Sequence, residues 1–159
     1  MSFGVGVGDI VVLSGLAWRV YKACKESSED FRRLSTEMAS LDAILRETAE
    51  FMQEHGDRLD TSRRHRLGII CDGCTSTLQT LEGLVQRYES LSTNAQRNWD
   101  RMRFGLNDLS DVRSRLVLNT SMLTAFTSMM IKSQPPFPAP ARSRQHELTN
   151  RHAVPPRHV

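Results

Sequence analysis

Residues 31–52 read FRRLSTEMASLDAILRETAEFM. Phe31, Leu34, Met38, Leu41, Leu45, Thr48 and Met52 recur at alternating spacings of three and four, which places them along one face of an α-helix. Thr48 is the only polar member of that stripe. Ahead of it, Ser27 or Ser28 can accept hydrogen bonds from the free N–H groups of a first helical turn, and Glu29 and Asp30 suit the positive end of the helix dipole. Gly56 can close the helix in a left-handed conformation. The pattern predicts one long amphipathic helix over 29–54.

The same spacing recurs on both sides. Over residues 9–26, Ile10, Leu13, Ala17, Val20 and Cys24 form a stripe, with Asp9 as the expected N-cap. Val11, Val12, Leu16 and Trp18 make the first half apolar nearly all round, as expected of a central, deeply buried helix. A third helix, 61–91, puts Leu67, Cys71, Cys74, Leu78, Leu81, Val85 and Tyr88 in register behind Asp60 or Thr61 as N-cap. A short piece over 95–104 carries Trp99, Met102 and Phe104, and Gly105 should interrupt it. The last helix, from Asn107 to Lys132, aligns Leu109, Val112, Leu116, Asn119, Leu123, Phe126 and Met130. Asn119 breaks an apolar stripe, which is the expected mark of a hydrogen-bonded residue that fixes helix register. Sustained period-two alternation is confined to the Gly–Val opening, so the expected fold is all-α: an antiparallel bundle of four long helices plus one short helix.

All six prolines lie at or after Pro135. Residues 1–132 are read as the bundle and 133–159 as a disordered tail rich in Pro, Arg and His. Charge divides the same way. From Lys132 onward there are five basic residues (Lys132, Arg142, Arg144, Arg151, Arg157) against Glu147, whereas residues 1–131 hold 16 basic and 17 acidic groups. The body lacks the excess of positive charge that a nucleic-acid interface needs. Three cysteines, Cys24, Cys71 and Cys74, fit reduced thiols in an intracellular chain, and no basic n-region precedes the apolar stretch as a secretion signal would require.

Candidate chemistry is thin. Gly4, Gly6 and Gly8 suggest a phosphate loop, but Gly8 is followed by Asp9 where such a loop needs Lys and a hydroxyl. The opening therefore reads as a flexible arm. Cys71-Asp-Gly-Cys74 supplies two of the four ligands of a zinc site, and both thiols lie on an apolar stripe where cysteine packs as a small hydrophobe. His146, His152 and His158 fall in the tail, and Pro135–Pro138 matches a short polyproline motif. Arg46 with Glu50, and Asp111 with Arg115, are spaced as surface ion pairs. No catalytic, cofactor-binding or metal-binding residues are assigned, no cofactor or small-molecule substrate is expected, and the chain is read as non-enzymatic. The stretch Val5–Val20 would span about 24 Å as a helix, short of the roughly 30 Å of a bilayer core.

Three segments, MSFGVGVGDI…LAWRVYKACKES, DFRRLSTEMASLDAILRE and WDRMRFGLNDLSDVRSRLVLNTSMLTAF, resemble the N-terminal domain of fungal STAND (NOD-like receptor) proteins, the HeLo-like group found ahead of NACHT or ankyrin regions. The resemblance covers residues 1–131. It implies a signalling or execution module of fungal innate immunity, heterokaryon incompatibility and programmed cell death, cytoplasmic and recruited to the plasma membrane. It implies as partners other STAND-type or helical signalling proteins, further copies of the chain, and a membrane reached by the N-terminal helix after oligomerisation. The matching positions here are Phe3, Val5, Val7, Ile10, Val11, Val12 and Leu13. The alternative is an adaptor, or a regulator of full-length STAND receptors, that binds proteins and has no membrane activity.

Overall fold

A computed structural model of the chain describes residues 5–90 and 98–133, with side chains over 5–90 and 108–133. The described residues form five α-helices: α1 (Val7–Glu26), α2 (Glu29–Arg33), α3 (Ser35–His55), α4 (Thr61–Ser90) and α5 (Asn98–Lys132). A 3₁₀ turn, Gly56–Arg58, joins α3 to α4. The four long helices form an all-α bundle, and the described residues contain no strand.

Each long helix touches two others. α1 packs on α3 and α4, and α5 packs on the same two from the opposite side. Cross-helix contacts give the directions. Glu37 meets Arg113 and Thr48 meets Thr127, so α3 and α5 run parallel. α1 and α3 are joined through the single turn of α2 and run antiparallel, as do α4 and α5.

The predicted stripes form the core. Ile10, Ala17, Val20 and Cys24 of α1, Met38, Leu41 and Leu45 of α3, Leu67, Cys74, Leu78 and Leu81 of α4, and Leu116 and Leu123 of α5 are fully buried. Polar residues sit at the seams and fix register. Ser14 donates to Asp42 at 2.9 Å between α1 and α3, and Arg19 donates to Glu82 at 2.9 Å between α1 and α4. Asn119, as expected from its place in the stripe, donates to Thr77 at 3.0 Å between α5 and α4. Thr77 spends its own proton on the carbonyl of Gly73, and Thr48 spends its proton on that of Ile44. The 3.1 Å contact between Thr48 and Thr127 therefore has Thr127 as donor. α5 is thus the donor at both of its interfaces, each time to a threonine whose hydroxyl proton is already committed to its own helix.

Several boundaries differ from the sequence expectation. The helix expected over 29–54 is two. At Leu34 the N–H turns to the carbonyl of Phe31, three residues back at 3.0 Å, and this tighter turn separates α2 from α3. Phe31 and Leu34 are both buried, so the stripe persists across the break and conceals it. Ser28 begins α2 through its carbonyl, which accepts from Arg32 at 2.9 Å, and its hydroxyl makes no cap. Asp9 is the third helical residue and not the N-cap: Gly6 caps α1, and the Asp9 carboxylate reaches back to accept the Gly6 N–H at 2.9 Å. Asp60 does cap α4, accepting the Arg63 N–H at 2.8 Å. Arg46 turns back to Asp42 rather than forward to Glu50, because Asp42 is buried at the seam where Ser14 holds it, whereas Asp111 and Arg115 pair at 2.9 Å as expected. No separate short helix ends at Gly105; α5 runs through it, since one glycine costs about 1 kcal/mol and a 35-residue helix absorbs that. The side chains of Trp99, Met102 and Phe104 and the tail beyond Ser133 lie outside the described residues.

Candidate functional site

The residues singled out at the amino terminus separate into two sets. Ile10 and Leu13 point into the core with Ala17, Val20 and Cys24. Val5 joins them, packed against α4 where Gly68 leaves room; a Cβ there would lie 3.4 Å from the valine methyl. From Val5 on, the arm is therefore anchored, and Val7 is half-buried against the core. Val11 and Val12 face outward, 55% and 74% exposed, and Trp18 is 46% exposed. Phe3 lies outside the described residues.

This corrects the expectation of a central helix. With neighbours on only two sides, α1 keeps an outer face, and that face is apolar. Gly8 and Gly15 share it, each with open space where a side chain would project. Between Asp9 and Arg19 it carries no charge. Beyond that point it becomes aromatic and basic. Trp18 stacks on Tyr21 with ring centroids 5.2 Å apart, Lys22 lies 5.9 Å over the Trp18 ring, and Lys25 lies 5.7 Å over Tyr21. The apolar half and the aromatic–basic half follow each other along one helix.

Among the described residues, grooves open on two sides of the bundle. The first, about 460 Å³, runs between α1 and α4, with Val5, Val12, Leu13 and Leu16 on one wall and Asp72, Thr75, Gln79 and Glu82 on the other. The second, about 290 Å³, lies between the C-terminal ends of α3 and α5, lined by Glu47, Glu50, Phe51, Glu54, His55, Thr127 and Ile131. No family model, curated protein or solved structure matches the chain.

The cysteines have no exposed chemistry. Cys24, Cys71 and Cys74 are free thiols buried in the core, and burial pushes each up to about 12 from an ordinary value near 9.0. A thiol that remains protonated at neutral pH is neither a good nucleophile nor a ready metal ligand. Among the described residues, no group of three or more His, Cys, Asp and Glu side chains is placed to hold a metal ion. Nor is any described helix long and apolar enough to cross a membrane.

The core-facing set was legible from spacing alone. The outward set was visible only as surplus apolar residues, whose exposure depends on α1 having neighbours on two sides rather than four.

Proposed function

We infer that the chain is a non-enzymatic signalling module that engages anionic membrane surfaces through the outer face of α1. The observation that carries this reading is the outward exposure of Val11, Val12 and Trp18 on a helix that turns basic at Arg19, Lys22 and Lys25. An interfacial helix buries an apolar face at the headgroup boundary and sets aromatic and basic side chains beside it. The resemblance of residues 1–131 to fungal STAND N-terminal domains supports the same reading, and on it we propose a role in cell-death signalling, with recruitment from the cytoplasm to the plasma membrane.

On this reading the action has two steps. Docking uses residues that are already outside, so it needs no opening of the bundle. Deeper insertion would use Ile10 and Leu13, and withdrawing each from the core costs about 1.5–3 kcal/mol. Ser14–Asp42 and Arg19–Glu82 also hold α1 to its two neighbours. Release therefore requires an external drive, which oligomerisation can supply.

The test is co-sedimentation of the full chain with vesicles of phosphatidylcholine and phosphatidylserine. Wild-type protein should bind, and Val12→Ser with Trp18→Ser should bind at least about tenfold more weakly, the loss of about 1.4 kcal/mol expected from two exposed apolar groups. Val117→Ser on α5 should change nothing. Equal binding by all three proteins, or none by the wild type even when dimerised through a fused tag, would overturn the membrane reading in favour of the adaptor.

A further inference from the structure

The groove between the ends of α3 and α5 holds an electrostatic conflict. Its floor is apolar and aromatic: Phe51 and His55 stack with centroids 5.1 Å apart, and Ile131 stands 58% exposed beside them. Its rim is Glu47, Glu50 and Glu54. These are neighbours at three- and four-residue spacing on one helix face, where like charges oppose each other. Glu54 lies in the last turn of α3, at the negative end of the helix dipole, where acidic groups are disfavoured. Among the described residues none of the three is paired with a lysine or arginine; Arg46, the nearest in sequence, is committed to Asp42. The Nδ1 of His55 is buried without a hydrogen-bond partner, 3.8 Å from Glu54.

The cations that could resolve this conflict lie on the same chain. Three residues beyond Ile131 begins Gln134-Pro-Pro-Phe-Pro-Ala-Pro-Ala-Arg-Ser-Arg144, which contains two arginines, one aromatic residue and no acidic residue. α5 delivers it to this end of the bundle. The rim from Glu54 back to Glu47 extends about 10 Å at the helical rise of 1.5 Å per residue. In polyproline geometry, at about 3.1 Å per residue, the nine steps from Ser133 to Arg142 would reach about 28 Å, enough to turn at the end of α5 and run back along the groove.

We propose that residues 134–144 dock in cis into the groove between α3 and α5, with Phe137 over the Phe51–His55–Ile131 floor and Arg142 and Arg144 against Glu47, Glu50 and Glu54. The short tether makes the docking intramolecular, at an effective concentration in the millimolar range, so individually weak contacts suffice. This rests on the opposite side of the bundle from the outer face of α1 and does not depend on membrane binding.

The buried native thiols permit a selective experiment. A nitroxide attached to Ala139→Cys in the full chain labels the tail while Cys24, Cys71 and Cys74 stay protected. The expected result is paramagnetic broadening of the amides of 47–55 and 127–131, sparing the outer face of α1, and fading at 1 M salt, where screening falls to about 3 Å. Arg142→Glu with Arg144→Glu should abolish it. Adding Glu50→Lys and Glu54→Lys to that variant should restore it. Spin-labelled chain mixed with isotope-labelled chain lacking the spin label should give no broadening. Broadening in that mixture would mean that a second copy fills the groove, and broadening that is absent or indifferent to charge reversal would mean that the tail does not; each result overturns the proposal.

Discussion

Replacing Thr127 with valine tests the hydrogen-bond directions assigned at the seam between α3 and α5. Thr48 donates to the Ile44 carbonyl at 2.7 Å, so its oxygen can only accept from Thr127, 3.1 Å away. Valine matches threonine in shape, so Thr127→Val removes one buried bond without opening a cavity and should cost about 1 kcal/mol. Thr48→Val removes the acceptor and leaves the Thr127 hydroxyl, 2% exposed, seeking a carbonyl of its own helix. Its expected cost is larger, about 1–2 kcal/mol. With both valines neither hydroxyl remains to be orphaned, so the double variant should cost about 1 kcal/mol less than the sum of the singles. Urea unfolding followed by far-ultraviolet circular dichroism reads all four corners of the cycle, and thermal midpoints should fall by about 3 °C per kcal/mol. Strict additivity would refute the assignment, since it would mean that the two hydroxyls do not share a proton.

Other expectations follow from burial and backbone. Gly15→Ala on the outer face of α1 meets nothing within 4 Å and should stabilise the fold by about 1 kcal/mol, measured by urea midpoint. Ile10→Ala, at a fully buried position, should cost about 2–4 kcal/mol, while Val12→Ala should shift the midpoint by less than about 0.5 kcal/mol. The raised thiols predict an alkaline limit. Folding favours the protonated form, so the thiols leave stability untouched below pH 9.0; as pH rises from there toward about 12, each lowers stability by up to about 1.4 kcal/mol per unit. Urea titrations between pH 8 and 11 should show a shallower decline for Cys24→Ala than for the wild type.

The core was legible in the sequence because helical spacing alone determines which residues share a face. Every member of the α1 stripe is buried, and Asn119 makes the cross-helix bond that its position announced. The break at Leu34 was hidden because a tighter turn preserves the stripe on both sides. Thr77 and Thr127 gave no signal, since a threonine that bonds its own helix and also serves a neighbour looks like any other helical threonine. The outer face of α1 was misread for a different reason. All-round apolarity is equally consistent with a helix surrounded by protein and one with a greasy side left open, and only the packing order around the bundle separates them. The acidic groove was hidden for a similar reason: in the sequence Glu47, Glu50 and Glu54 have only the spacing of one helix face, and it is the placing of α5 that sets Ile131 beside Phe51.

The packing order also bears on how two copies could meet. α1 with α3, and α4 with α5, are two helical hairpins, and the turn at Gly56–Asp60 is the only described covalent link between them. They lie side by side in the same sense, first arm on first arm and second on second. A chain opened at that turn exposes on each hairpin the surface that the other hairpin normally covers, so two opened chains can exchange hairpins while remaking every native contact. Refolding at high concentration is then expected to trap a dimer with monomer-like helix content, and lengthening the turn with glycines should reduce its yield.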